Sequence, residues 1–334
     1  MVNRNLIYLS YGNESEYRRT IFSILSYFSW CPDLIPSTRI ILYTDAPEYF
    51  RSFLSEKQIE YYFLSPELLT EMKGPEQFIH RIKVMVINLS FNSYPNEDQL
   101  FIDSDTFFTA NATEIIDTIA SGSSLMHVRE YTIQDSLRIF SLFKQSQFPK
   151  SFLHYISSNV FRVGNEKISF DNRAYSWNSG VLGLHKDFSM YMPDVVKLTD
   201  LFYANSKWFI SEQLAFSFIL QKTTVISAAK KYITHYWGRR QKVLIEELLS
   251  SIFEEKYKSE LKSTEYIRQL TLQWKKKIDN DINVEQAVIS ISRKEWYSAF
   301  KKIVKITLRN PFDFTMYLTI IKELKDKKNF VTES

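Results

Sequence analysis

The sequence predicts an α/β protein built on an open, mostly parallel sheet flanked by helices, with a helical C-terminal extension. Two observations predict it. Over residues 1–240, short β-branched runs alternate with helical periods long enough to return the chain to a parallel neighbour, a crossover that needs about a dozen residues. Beyond that point the chain reads as helix after helix with basic faces.

Leu6 to Ser10 is a short apolar run that reads as the first strand. Tyr17, Ile21, Ile24, Leu25 and Phe28 follow at helical spacing, and Asn13 with Glu16 three residues on forms a capping box at the start of that helix. Arg39 to Thr44 is a second strand, ending at Asp45, and Ile59 to Leu64 is a third. Phe78, Ile82, Met85, Val86 and Leu89 mark one face of the next helix, and Leu100 to Ile102 is a fourth strand that runs into Asp103-Ser104-Asp105. Farther on, Trp177 to Leu184 reads as a strand and Leu214 to Leu220 as a helix opened by Ser211-Glu212-Gln213. Thr224 to Ile226 reads as a short strand, and Ile233 to Arg240 holds His235.

Composition excludes several function classes. Seven glycines and nine prolines in 334 residues rule out collagen-like and low-complexity chains, and neither G-x-G-x-x-G nor G-x-x-x-x-G-K-[ST] occurs, which disfavours dinucleotide-binding and P-loop chemistry. The single cysteine, Cys31, leaves no disulfide within the chain and no thiolate cluster for zinc; with no apolar run near the ~18 residues of a membrane span, the expected location is the cytoplasm. A formal net charge of +4 names no nucleic-acid partner, yet it is unevenly placed. From Arg239 to the end there are 20 Lys+Arg against 14 Asp+Glu, whereas the residues before have 22 against 24.

Ligands of open parallel sheets sit at the carboxyl ends of strands. That directs attention to Tyr11-Gly12-Asn13, to Asp45 and to Asp103-Ser104-Asp105. Side chains at i and i+2 of an extended segment point to the same side, so Asp103 and Asp105 offer two hard oxygen ligands suited to Mg²⁺ or Mn²⁺, an ion that a diphosphate can share. Asn178-Ser179-Gly180 is a polar tripeptide inside an apolar run, and a glycine there marks either close approach of a ligand or another backbone, or a bulge. Glu212 and Gln213 open a helix, where the dipole favours an acid whatever its function.

Four of these pieces, in this order, resemble the GT-A glycosyltransferases, and within them glycosyltransferase family eight, over roughly residues 5–240. LFIDSDTFF (100–108) is similar to the family's metal-binding D-x-D strand, with Asp103 and Asp105 as ligands and Ser104 on the donor. WNSGVLGL (177–184) resembles the Asn-Ser-Gly strand that lines the sugar side, and SEQLAF (211–216) the acidic-Gln helix start. THYWGRR (234–240) resembles the late His-x-x-Gly segment, with His235 as third ligand and Gly238, Arg239 and Arg240 on the diphosphate.

The resemblance implies a nucleotide-sugar-binding catalytic domain over 1–240 and a helical region over 241–334. It implies transfer of a hexosyl group from a UDP-sugar to a hydroxyl acceptor, a glycan or lipid-linked saccharide, with retention of configuration. The implied cofactor is Mn²⁺ or Mg²⁺, and nitrogen from His235 favours Mn²⁺. Tyr11, Gly12, Asn13 and Asp45 are implied to hold the nucleoside, Gln213 to lie near the anomeric carbon, and Glu212, Asn178, Ser179 and Gly180 to line the sugar. Arg81 and Lys83 are implied to face the diphosphate; two apart on a helix, they cannot share a face, and Arg81 is the first choice. Two departures stand out: Glu212 replaces the usual Asp, and Arg-Arg-Gln follows Gly238 where the family often carries Lys and then Pro-Trp.

Two alternatives compete. FIDSDTFF also fits the hydrophobic-D-x-D-x-T signature of haloacid-dehalogenase-like phosphatases, with Asp103 as nucleophile and Asp105 as general acid/base. That chemistry wants a later strand ending in an acidic pair, which the sequence lacks, and a nucleophile on the first strand, whereas Asp103 follows three. The other alternative is a non-catalytic nucleotide-sugar-binding scaffold. Within the enzyme class, Glu212 acting as a base would give inversion instead of retention. In the tail, Trp296, Phe300, Ile303, Val304 and Thr307 fall on one helical face with Lys294, Lys301, Lys302, Lys305 and Arg309 opposite, as in a helix that packs on the catalytic domain or lies on an anionic membrane surface.

Overall fold

The computed structural model describes residues 2–54, 57–141, 145–254, 259–292 and 295–309, with positions 318, 321 and 322 beyond them. Two compact units are present, one of Met1–His235 with Phe253–Arg268 and one of Tyr236–Ile252 with Gln269–Ser334.

The first unit opens with β1 (Arg4–Ser10), α1 (Glu14–Trp30), β2 (Thr38–Thr44), α2 (Pro47–Leu54), β3 (Ile59–Phe63), α3 (Pro66–Lys73), α4 (Arg81–Ser93) and β4 (Asp98–Ile102). It continues through β5 (Thr106–Phe108), α5 (Thr113–Ile116), β6 (Ser123–Thr132), α6 (Ile133–Ser141), α7 (Gln147–Ser157), β7 (Phe161–Val163) and β8 (Glu166–Ile168). β9 (Tyr175–Leu184), α8 (Met192–Ser206), α9 (Ser211–Thr223), β10 (Val225–Ala228) and β11 (Ile233–His235) complete it.

Seven strands form one sheet in the order β10-β6-β9-β4-β1-β2-β3. β3, β2, β1 and β4 run parallel, β9 enters antiparallel between β4 and β6, and β10 runs parallel to β6. The mostly parallel open sheet flanked by helices is therefore present. Leu6, Ile7 and Tyr8 are wholly buried, as expected for a parallel strand covered on both faces. The chain moves from β1 outward to β3 and then returns to the other side of β1 as β4. This reversal opens a crevice at the carboxyl ends of β1 and β4, where Tyr11-Gly12-Asn13 and Asp103-Ser104-Asp105 lie.

Helix α1 starts where its sequence says it should. Asn13 is extended (φ −159°) and its Oδ1 accepts the Glu16 N–H at 3.1 Å. The reciprocal half of the expected capping box is not made, because the Glu16 carboxylate accepts from Ser104 and pairs with Arg19. The strand β6, the helices α6 to α8 and the β7–β8 hairpin were not legible as elements. β6 reads SSLMHVREYT, mixed in polarity, and its ladder with β9 shifts register twice, so neither strict alternation nor a continuous apolar run appears.

The second unit contains α10 (Arg239–Ile252), the part of α11 (Thr264–Ser292) from Gln269 onward, and α12 (Trp296–Arg309). Val284, Val288 and Ile306 form a small core of its own, with Ile291 and Ile303 against it. The expected apolar face of α12 needs correction. Its seam runs through Ala299, Ile303 and Ile306, which turns Trp296 (66% exposed) and Phe300 (65%) out of the contact. Arg293, Lys294 and the Arg309 side chain lie outside the described residues. Among the described residues no helix is long and apolar enough to cross a membrane.

Cys31 has no exposed surface, and burial pushes its thiol up to about 12. A thiolate-selective reagent such as DTNB is expected to titrate no thiol in the folded protein at pH 8 and one thiol in 6 M guanidinium; rapid labelling of the folded chain would contradict this packing.

Candidate active site

The site assembles around a short antiparallel pairing outside the main sheet. β5 follows the D-x-D turn and pairs with β11, with Thr106 opposite His235. That register sets His235 beside Asp105, whose Oδ1 lies 3.0 Å from His235 Nε2. Asp103, Asp105 and His235 each offer a ligand atom within 4.8 Å of the others, and Asp105 and His235 are buried.

β9 supplies the opposite wall. Between its paired residues Asn178 and Leu182 it has three residues where β6 has one, His127, between Val128 and Met126. The irregularity re-aims the Asn178-Ser179-Gly180 segment out of the ladder. Gly180 also accounts for a close approach: a Cβ there would lie 2.3 Å from two atoms of the His235 ring. The bulge reading of the glycine therefore holds, and the group that approaches it closely is a side chain, the His235 ring, instead of a ligand or another backbone. The D-x-D turn is tied to the same place, since Asp103 N–H donates to the Gly180 carbonyl at 2.9 Å.

Lys83 reaches the site from α4. Its ammonium donates to Asp103 Oδ2 at 2.9 Å and to Ser179 Oγ at 3.3 Å, and lies 3.7 Å from Glu212 Oε1. Burial alone would lower the Lys83 pKa, but Asp103, Glu212 and Asp105 outweigh it and hold the ammonium above its usual value. Arg81, the first choice from sequence, goes elsewhere: it pairs with Asp200 at 2.7 Å and donates to the Met72 carbonyl. The two-residue spacing on α4 sends one side chain inward at the D-x-D turn and the other toward α8.

Glu212 and Gln213 stand at the start of α9, both buried. Glu212 Oε1 accepts from Ser179 Oγ at 3.2 Å, while Oε2 is buried with no hydrogen-bond partner among the described residues. Gln213 Oε1 accepts the Ser179 N–H at 3.3 Å, and its amide group donates to Ser176 Oγ and to Glu130 Oε2. Glu130 of β6 had no signal in sequence. It also accepts from Ser176 Oγ at 3.1 Å and Asn178 Nδ2 at 3.4 Å, and burial raises its pKa while these hydrogen bonds pull it down. Lone acids within mixed-polarity segments are common, so only the tertiary contact identifies it.

At the end of β1, Gly12 takes a positive φ of 97° and donates its N–H to Asp45 Oδ2 at 2.9 Å, while Tyr17 donates its hydroxyl to Asp45 Oδ1 at 2.8 Å. Asp45 thus fixes the loop of Tyr11, Gly12 and Asn13. Burial, with Glu16 and Asp45 nearby, pushes the half-buried Tyr11 phenol up to about 12. Ser104 donates to Glu16 Oε2 at 2.7 Å and so joins the D-x-D turn to α1. Gly238, Arg239 and Arg240 belong to the second unit: Gly238 precedes α10, Arg239 is exposed, and Arg240 is paired with Asp281 at 2.8 Å.

The donor set fits a divalent ion. Asn178 Oδ1 accepts the Gly180 N–H at 3.1 Å and lies 2.8 Å from His235 Nδ1. An amide oxygen only accepts, so Nδ1–H donates to Asn178 and Nε2 faces the Asp105 carboxylate. Two electron-rich atoms at 3.0 Å need a cation between them, either a proton or a metal ion. The separation is that of two adjacent ligands at about 2.1 Å from an octahedral ion. Asp103, Glu212 and Asp105 all act on the Lys83 ammonium, three carboxylates against its one charge, and a divalent ion would balance that excess.

No family model and no curated protein matches the chain. Solved structures do. The galactosyltransferase LgtC, in complex with donor and acceptor sugar analogs, is similar at 14% identity over 76% of this chain and 99% of its own, with a TM-score of 0.46. The glycosyltransferase GlyE of Streptococcus pneumoniae TIGR4 is similar at 11% identity, covering 82% of this chain and 64% of its own, with a TM-score of 0.45. A glycosyltransferase involved in glycosylation of the major capsid of PBCV-1 follows at 12% identity, 75% and 99% coverage, and a TM-score of 0.40. Similarities at this level carry no argument about activity, which must come from the chain's own residues.

Gly180→Ala is expected to push the His235 ring off both Asn178 and Asp105. Overpacking of this kind costs about 1–3 kcal/mol, readable by urea unfolding, and loss of ligand placement should weaken binding of a divalent ion by about tenfold or more in titration calorimetry. Unchanged metal affinity would mean that the ring does not need this position.

Proposed function

We propose that the chain is a metal-dependent GT-A glycosyltransferase that moves a hexosyl group from a UDP-sugar to a hydroxyl of a saccharide acceptor. The observation that carries this is the convergence of Asp103, Asp105 and His235 at the reversal point of the sheet, with Asn178 Oδ1 on the His235 ring and Gln213 bonded to the neighbouring Ser179. Mn²⁺, or Mg²⁺ in its place, would be held by those three ligands. When bound, it would neutralise the charge that develops as the nucleoside diphosphate leaves. His235 nitrogen favours Mn²⁺.

Around that group the chain's own residues bind and orient. Tyr11, Gly12, Asn13 and Asp45 would take the nucleoside in the preformed loop at the end of β1, with Ser104 beside it. Lys83 holds Asp103 in place and adds positive charge on the diphosphate side. Glu212 Oε2, buried with an open acceptor position, suits a sugar hydroxyl, and Gln213 would sit at the anomeric carbon. Retention is proposed on the family resemblance; the anomeric coupling constant of the product by NMR distinguishes it from inversion with Glu212 as base. The two Asp and one His differ from the acidic pair that phosphatase chemistry would bring.

A thermal-shift screen of nucleotide-sugars with and without Mn²⁺ should give a metal-dependent rise in Tm with one UDP-sugar. UDP release with saccharide acceptors should then fall by about 10²–10³-fold in Asp105→Asn, the range for loss of one transition-state charge stabiliser. Binding without turnover for every acceptor would favour the scaffold, and no metal-dependent shift with any nucleotide-sugar would reopen phosphatase chemistry.

A cytoplasmic location with peripheral contact to an anionic membrane, where a lipid-linked saccharide would be met, completes the proposal. Trp296, Tyr297 and Phe300 are exposed on α12 beside exposed Lys301 and Lys305, which supports it. In flotation with phosphatidylglycerol vesicles the full chain should partition to lipid, and Lys301→Glu with Lys305→Glu should reduce recovery at least tenfold, at about 1 kcal/mol per basic residue. Equal recovery would reject membrane contact.

A further inference from the structure

We infer that Glu130 is a positioning residue that sets the tautomer and aim of His235, acting through Asn178, and that it fixes the amide of Gln213 in the same way. The inference rests on His235 being a metal ligand, as proposed above.

Two backbone N–H groups anchor the argument, because their donor role is unambiguous. Gly180 N–H donates to Asn178 Oδ1 at 3.1 Å, and Ser179 N–H donates to Gln213 Oε1 at 3.3 Å. Both amide oxygens are thereby committed, and both amide NH₂ groups must point the other way. There they meet one carboxylate: Asn178 Nδ2 lies 3.4 Å from Glu130 Oε1, and Gln213 Nε2 lies 3.0 Å from Glu130 Oε2. Ser176 Oγ adds a third donor at 3.1 Å. Glu130 accepts in every one of these contacts.

A carboxylate is the one side chain that can accept from two amides at once without offering a donor to either. Its partners come from different elements, β9 and α9, so Glu130 keys both to β6. With its NH₂ group held, Asn178 keeps its oxygen toward His235 Nδ1 at 2.8 Å, the ring proton stays on Nδ1, and Nε2 stays available as the ligand nitrogen beside Asp105. A glutamine at 130 breaks the logic: its oxygen can serve only one amide, and its own NH₂ group then opposes the other. Asn178 could relieve that conflict by flipping, which would place an NH₂ group against Gly180 N–H and His235.

The experiment compares the native chain, Glu130→Gln, Glu130→Asp and Ser176→Ala. Long-range ¹H–¹⁵N correlation on the metal-free protein reads the His235 tautomer, and EPR of free Mn²⁺ reads affinity; neither depends on turnover. The native ring should be Nδ1-protonated. Glu130→Gln should show a mixture of tautomers and bind Mn²⁺ about 10–100-fold more weakly, the range for loss of an outer hydrogen-bond partner of a ligating histidine. Glu130→Asp should recover part of the affinity, and Ser176→Ala, which touches Glu130 but not Asn178, should leave the tautomer unchanged. A native ring without a proton on Nδ1 would overturn the inference even if no variant folds, as would a folded Glu130→Gln with native tautomer and affinity. A chain that behaves as expected here yet transfers no sugar would defeat the glycosyltransferase reading alone.

Discussion

The structure of the first unit depends on a contact between two three-residue strands. β5 and β11 are too short to be stable by themselves, yet their pairing brings residue 235 against residue 105 across most of the unit. The pairing is sheltered by a core of aromatic side chains, with Phe107 and Phe108 wholly buried and in edge contact with Phe22 and Tyr27. The rigid packing beneath is what permits a histidine ring to stand where a single methyl group on Gly180 would collide with it.

Around that contact the chemistry is organised by charge. One buried lysine, Lys83, faces more carboxylates than it can neutralise, and the amides of Asn178 and Gln213 are spent on orientation instead of charge balance. Such an arrangement is costly to bury unless a cation completes it, and its persistence at the reversal point of the sheet is the physical case for a divalent site. The low glycine content agrees with the proposed site, in which a diphosphate would be met by a metal ion and its ligands instead of by a glycine-rich loop of backbone N–H groups.

Much of the architecture was legible in sequence. β1, β2, β4 and α1 announced themselves through apolar runs and caps, because a strand covered on both faces is largely apolar and a helix start must satisfy its own N–H groups, while the edge strand β3 showed through its aromatic and β-branched residues. Asp103 and Asp105 stood out because they follow an apolar strand one residue apart, where side chains point to the same side, and because the other motifs follow them in order. The region from residue 109 to 174 was not, since β6 is irregular and its partner β9 lies tens of residues away. Glu130 was hidden for the same reason. Lys83 and Arg81 were both visible, but their order of preference came out reversed, because helix periodicity alone does not say which of two basic residues points inward.

By itself the sequence determined the α/β class, the strand ends that bear polar residues, the D-x-D pair and the basic character of the tail, all of which are set by local period, local composition and adjacent residues. Only the tertiary structure decided which groups meet. It placed His235 on Asp105, Lys83 on Asp103 and the amides of Asn178 and Gln213 on Glu130, and it turned Trp296 and Phe300 of α12 outward. The reason is physical: these contacts join residues 20 to 130 positions apart, and no local preference encodes a partner that arrives only when the sheet closes around it.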